Sequence, residues 1–201
     1  MNLTDQFGDI DIYLFDQLLR GRISPGMRVL DAGCGAGRNL MYMLREGYEV
    51  FAADADPAAV EHVRRLASVL APQLPSANVV VAPVEQMPFP DAFADVVLSS
   101  AVLHFARDDR QFDAMVREMW RVLKPGGMLW ARLASTIGLA DQVQPVAGRW
   151  SRLPDGTERY VVDEALLMEI TRSLGGRLLD PVKTTVVSHQ RSMTTWVVRK
   201  L

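Results

Sequence analysis

Two carboxylates flank a glycine-rich turn at a spacing that suits a small ligand. Residues 27–39 read MRVLDAGCGAGRN. Val29 and Leu30 end a short apolar run, the pattern of a buried strand. Asp31 follows, then Gly33, Gly35 and Gly37 at alternate positions, then a helical pattern expected to begin near Ala36 or Gly37. Strand, glycine turn and helix bring a backbone close to a ligand, since a Cβ there would collide with the bound group or forbid a positive φ. The first N–H groups of the helix would point at whatever fills the turn. The spacing is G-x-G-x-G, with Arg38 where the third glycine of a dinucleotide G-x-G-x-x-G would stand. The Gly-Lys-Ser/Thr of a phosphate loop is absent. Asp31 would repel a pyrophosphate but suits a ligand with an amino group to hold. Asp54, with Ala55 after it, closes the next apolar run at about the 20-residue interval where a carboxylate takes both hydroxyls of a ribose. A turn that only packs helix on strand is the structural alternative.

Further along, Ser99 to Phe105 runs off a fourth strand, where ligands of open α/β sheets bind. His104 in this segment titrates near neutrality when unperturbed and suits a general base. An orienting or structural hydrogen bond is its other reading.

The elements that must hold these residues follow in order. A helix is expected over residues 4–22, with Ile12, Phe15, Leu18 and Leu19 as its buried stripe. Asp56 reads as a helix cap before Pro57, and Val60, Val63, Ala67 and Leu70 give that helix one apolar face. Strands are expected at 79–82 and 94–99. Asp108 or Asp109 caps a helix with the stripe Phe112, Met115, Val116, Met119, Val122 and Leu123. Lys124-Pro125-Gly126-Gly127 reads as a turn into a fifth strand at 128–134. Residues 136–160 break the alternation of strand and helix. Asp163 caps a last helix, and two strands, 177–187 and 193–199, end the chain.

VLDAGCGAGRN resembles motif I of the class I S-adenosylmethionine-dependent methyltransferases, and EVFAADADP, VEQMPFPDAFADVVLSSAVLHF and RVLKPGG continue the resemblance in order over residues 27–135. The turn with its helix looks most like the tellurite-resistance-type branch. The resemblance implies a Rossmann-like seven-stranded mixed sheet of order 3-2-1-4-5-7-6, the last strand antiparallel, with helices on both faces and an N-terminal helix. It implies a single methyltransferase domain over 1–201, divided into an N-terminal lid (1–25), a cofactor-binding core (26–135), a cap (136–160) and a C-terminal helix and hairpin (161–201). S-adenosylmethionine would be held by Asp31, Gly33, Gly35, Arg38, Asp54, Ala55, Val84, Glu85 and Ser99. Val84 and Glu85 carry the adenine contacts because Pro83 occupies the family's usual acidic position. The N-terminal helix would fold over the ligand with Phe7 or Tyr13. The cap would select the acceptor, through Arg149, Trp150, Arg152 and Arg159, for negative charge or a flat ring. The implied activity is methyl transfer to a small-molecule acceptor; a non-catalytic binding module and a nicotinamide oxidoreductase are the rivals, the second lacking its G-x-G-x-x-G.

Composition narrows the partners. The 201 residues carry a net charge of −2 and no cluster of Lys and Arg, which argues against binding nucleic acid through its phosphates. Cys34 is the one cysteine, so no intramolecular disulfide forms, and its place in the turn suggests fit rather than reactivity. No metal site, no membrane span and no signal peptide are expected, and the cytoplasm is the default compartment. An apolar face on the N-terminal helix suits a core or a homodimer equally.

Overall fold

The computed structural model describes residues 2–201. The single helix expected over 4–22 is two, α1 (Leu3–Phe7) and α2 (Ile12–Leu19). Gly8, at φ +61°, turns the chain between them. Asp11 then caps α2, its Oδ1 accepting the Tyr13 N–H at 3.0 Å, while its Oδ2 accepts from Arg132 at 2.8 Å. This long-range pin sets the rotation of α2. Leu14 and Gln17 face the core, and Ile12 and Leu19 of the expected stripe are exposed.

Strand β1 (Arg28–Ala32) is followed by the short α3 (Met41–Arg45), β2 (Glu49–Asp54), α4 (Pro57–Leu70), β3 (Val79–Val81), β4 (Ala94–Ser100), α5 (Asp109–Val122) and β5 (Leu123–Ala134). β1 pairs parallel with β2 and β4, β2 with β3, and β4 with β5. A parallel sheet is buried on both faces. Val29 and Val50 pack on one side with Leu14, Val60 and Val63 of α2 and α4. Leu30 and Val97 pack on the other with Phe112, Val116 and Met119 of α5 and Leu167. Asp56 and Asp108 cap α4 and α5 as expected, accepting from Ala58 N–H at 2.9 Å and Gln111 N–H at 2.8 Å. Lys124-Pro125-Gly126-Gly127 is an irregularity within β5 rather than a turn before it. The register breaks between Ala94↔Leu123 and Val96↔Met128, because Pro125 cannot donate to the ladder and Gly126 takes φ +79°.

Residues 136–160 contain a separate antiparallel sheet, β6 (Gln144–Ala147), β7 (Trp150–Arg152) and β8 (Glu158–Tyr160). Tyr160 fastens it to α5, stacking on Phe112 at 4.6 Å between ring centroids and donating to Asp109 Oδ1 at 2.7 Å. The helix α6 (Glu164–Ser173) follows its cap, Asp163. The strand expected at 177–187 is two segments, β9 (Gly176–Leu178) and β10 (Lys183–Val187), which lie along the same edge of β11 (Arg191–Lys200). Pro181 has no N–H to give, and Asp180 turns inward to Arg22 at 2.7 Å and Gln17 at 3.1 Å. The main sheet therefore has eight segments in the order β3-β2-β1-β4-β5-β11-β10, with β9 also on β11 and β11 antiparallel to β5. Counting β9 and β10 as one interrupted strand restores the expected order. No helix among the described residues is long and apolar enough to cross a membrane.

Candidate active site

A cavity of about 490 Å³ opens beyond the carboxyl ends of β1, β2 and β4. The sheet order reverses between β1 and β4, which is where open α/β sheets hold their ligands. Asp31, Gly33, Gly35, Arg38, Asp54, Ala55, Val84 and Glu85, eight of the nine expected cofactor residues, all line it. Gly33 (φ +85°) and Gly35 (φ +49°) form the turn beneath it. The Gly33 N–H donates to Ala53 O at 2.8 Å, tying the turn to β2. The expected helix start at 36 or 37 is replaced by two tight turns, Gly37 N–H to Cys34 O and Leu40 N–H to Gly37 O, before α3 begins at Met41. The turn itself, rather than a helix end, thus lines this space.

Asp54, at the end of β2, accepts the Gly35 N–H on Oδ2 at 2.8 Å and the Asp56 N–H on Oδ1 at 2.9 Å. Each oxygen keeps acceptor capacity for a ligand hydroxyl. Asp31 differs. It is buried, and its Oδ1 has no hydrogen-bond partner. Burial pushes its carboxyl up to about 7, with Arg38 opposing the rise and Asp54 adding to it. The two carboxylates fit a ligand with a cationic amine at one end and adjacent hydroxyls at the other: one orphaned acceptor awaits a donor, and one oriented carboxylate stands ready. Burial likewise pushes the Cys34 thiol up, which excludes a thiolate nucleophile near neutral pH.

Asp31 also makes stability pH-dependent. An unfolded aspartate ionises near pH ~4, so between about pH 4 and 7 the folded state holds a proton that the unfolded chain has lost, and stability falls as pH rises through that window. Asp31→Asn removes the titration. Its ligand-free melting temperature should gain on the wild type's from about pH 5 to about pH 8, as thermal melts at both ends will read.

Ser99 does not line the cavity. It is wholly buried with an unpartnered hydroxyl, because alternation along β4 turns Ser100 toward the ligand space instead. Arg38 donates to Ser100 Oγ at 2.9 Å. On the far wall Glu85 accepts from Gln111 Nε2 at 2.9 Å, beside Val84 and Met115. Gln111, unassigned from sequence, had a signal: it stands three residues after the cap Asp108, the spacing of a capping box.

His104 lies in a second cavity, of about 390 Å³, that meets the first at Ala101. Its Nδ1 accepts the Ala134 N–H at 3.2 Å, and burial, then the charges of Arg159 and Arg132, push it down to about 4. The neutral ring therefore carries its proton on Nε2 and acts there as a donor, not a base. Tyr13, Arg149 and Trp150 line neither cavity. Tyr13 shares a hydrogen bond with Thr185 Oγ1 at 2.7 Å. Arg149 pairs with Asp163 at 3.0 Å, and Trp150 Nε1 donates to Glu158 at 3.2 Å. Phe7 stacks on Tyr42, and Arg152 pairs with Glu158 at 2.7 Å. Of the expected cap residues only Arg159 reaches a cavity, in company with Arg132 and Arg191, which local sequence did not mark.

The fold and the paired carboxylates define a Rossmann-like protein with a site for a nucleoside-type ligand. Residues 30–131 match the family model described as a methyltransferase domain; the chain belongs to this family, within the class I S-adenosylmethionine-dependent superfamily. It is 32% identical to the malonyl-[acyl-carrier protein] O-methyltransferase of Serratia marcescens over 70% of this chain and 49% of that protein. The chain spans about half the length of the curated relatives it matches. Among solved structures, the 1,6-didemethyltoxoflavin-N1-methyltransferase of Burkholderia thailandensis, with bound 1,6-didemethyltoxoflavin and S-adenosylhomocysteine, matches at TM-score 0.70 and 20% identity, over 98% of this chain and 80% of that one. The [4+2]-cyclase SpnF also matches, at TM-score 0.70 and 19% identity, over 92% of this chain and 80% of that one. The fold alone thus leaves the reaction open.

Proposed function

We propose that the protein transfers a methyl group from S-adenosylmethionine to a small-molecule acceptor. The observation that carries this reading is the pairing of Asp31, with its orphaned buried oxygen, and Asp54, with its two oriented oxygens, across one glycine turn. The cofactor has an amine on its amino-acid end and a ribose diol between that end and the adenine. The S-adenosylhomocysteine bound in the 1,6-didemethyltoxoflavin-N1-methyltransferase, and the methyltransferase names of the relatives, support the same choice.

When bound, the cofactor supplies a methyl group already activated on a sulfonium. The chain's residues then bind and align. Asp31 would take the amino group, Asp54 the ribose hydroxyls, and Arg38 the carboxylate of the amino-acid end. Val84 and Glu85 would meet the adenine, with Gln111 holding the Glu85 carboxylate in place. Gly33 and Gly35 let the backbone approach. Among the described residues no strong base stands at the junction of the two cavities, since His104 is a donor there. An acceptor that is already nucleophilic at neutral pH fits that arrangement, because alignment then supplies most of the rate enhancement.

Calorimetric titration should show micromolar binding of S-adenosylhomocysteine and none of NADH, which would exclude the nicotinamide reading. Release of S-adenosylhomocysteine from S-adenosylmethionine in an acceptor screen then separates an enzyme from a binding module. Binding without turnover across the screen would favour the module.

A further inference from the structure

The second cavity lies beside the first, and its walls are unusually basic for a chain of net charge −2. Arg132 from β5, Arg159 from β8 and Arg191 from β11 converge on it, with Asp155 as the one carboxylate in its lining. These guanidiniums are under-compensated. Arg132 donates to Asp11 at 2.8 Å, but that carboxylate also stands 3.6 Å from Arg38 and is shared. Arg191 lies 3.3 Å from Asp155. Arg159 donates to the Glu158 carbonyl at 2.6 Å and lies over the Phe105 ring at 4.9 Å, with no ion pair among the described residues. Arg149 and Arg152, by contrast, are each fully paired and face elsewhere.

The remaining donors agree. Among the described residues His104 Nε2 has no acceptor, its other nitrogen being held by the Ala134 N–H. Asp155 accepts the Thr157 N–H at 2.9 Å and hydroxyl at 2.6 Å on Oδ1 and faces Arg191 with Oδ2, so a single carboxylate in the lining stands against three guanidiniums. A volume of about 390 Å³ admits a molecule the size of a substituted ring.

From this convergence of three arginines on a cavity that adjoins the cofactor's, we propose that the cavity is the acceptor site and that it selects an acceptor carrying an oxyanion, a carboxylate or a phosphate. The proposal rests on the methyltransferase reading above for the word acceptor; the anion site itself does not depend on it. Forked guanidiniums bind such groups with strong, charge-assisted hydrogen bonds. Anchoring the anion here would direct the remainder of the molecule toward Ala101, where the two cavities meet.

The test is calorimetry on the full chain. S-adenosylhomocysteine is titrated first. Benzoate, phenyl phosphate and neutral benzamide are then titrated into the saturated protein. At least one anion should bind and benzamide should not, and which anion binds distinguishes carboxylate from phosphate. Arg191→Gln, at an exposed position, and Arg159→Gln should each weaken anion binding by about tenfold, the effect of one lost charge-assisted hydrogen bond, with S-adenosylhomocysteine affinity held within about twofold. Equal binding of benzamide and benzoate would overturn the proposal. So would failure of both anions to bind protein that still takes S-adenosylhomocysteine. If S-adenosylhomocysteine does not bind, the methyltransferase reading falls, and the same anion titrations on the ligand-free protein decide the anion site by themselves.

Discussion

Asp54→Ala should weaken S-adenosylhomocysteine binding by roughly a hundredfold, equivalent to about 3 kcal/mol, while the melting temperature moves by no more than about 4 °C. The two effects separate because of what Asp54 touches. In the ligand-free protein its carboxylate accepts two backbone N–H groups, from Gly35 and Asp56. Both lie at the cavity rim or beyond it, where water can replace the lost acceptor. The ligand's ribose hydroxyls have no such substitute once the site is filled, and hydrogen bonds to a charged partner contribute about 1.5–3 kcal/mol each. Asp54→Asn is the finer probe. It keeps the side-chain shape and one acceptor but loses the charge, so its affinity should fall by about tenfold, between wild type and alanine. Calorimetry reads the affinities and thermal melts read the fold. Wild-type affinity in Asp54→Ala would remove the ribose contact from the mechanism, and a collapse in melting temperature would show that the residue is chiefly structural.

How far the site is legible in the sequence depends on the range of the forces involved. The glycine turn, Asp31 and Asp54 are readable because backbone geometry within a few residues fixes them. Only glycine suits a turn that needs φ +85° and φ +49° in close succession, and Asp54 sits at the end of a strand bounded by its own apolar run. The expectation that Val84 and Glu85 meet adenine follows from the resemblance, yet Gln111, which holds Glu85, belongs to a different element. The expectation for Ser99 is off by one residue, and on a strand one residue changes the face. Ser100 takes the position instead.

The acceptor side is least legible, since its partners lie far apart in the chain. Asp11 meets Arg132 across 121 positions, and that contact both rotates α2 and aims a guanidinium at the second cavity. Nothing local marks either residue. The arginines of the 136–160 segment are visible as a group, but only the pairing of Arg149 with Asp163 and Arg152 with Glu158 shows which are already committed. The same logic covers the break at Pro181, where the proline is visible but the inward pull on Asp180 from Arg22 and Gln17 is not.

Gly33→Ala should be the most destabilising single change at the site, costing about 3 kcal/mol and lowering the melting temperature by roughly 10 °C. Two independent penalties meet there. At φ +85° a residue with a Cβ is strained by about 1 kcal/mol. The new Cβ would also lie 2.5 and 2.6 Å from the two γ-methyls of Val102, and overpacking of this kind costs about 1–3 kcal/mol. Val102 is half-buried against the core and stiff at χ1, and with both of its γ-methyls close to the new Cβ no rotamer change clears the two together. The penalties can be told apart in a double-mutant cycle. Val102→Ala should relieve the clash but not the backbone strain, so the pair should be coupled by about 1–2 kcal/mol. Gly35→Ala supplies the contrast. It has φ +49° and no neighbour within 4 Å of the place an added methyl would take, so its cost in stability should be near ~1 kcal/mol, and its methyl group should instead occupy ligand space and cut S-adenosylhomocysteine affinity. Strict additivity of Gly33→Ala and Val102→Ala would mean that the clash is not what keeps glycine at 33, and would leave the φ +85° backbone as the reason.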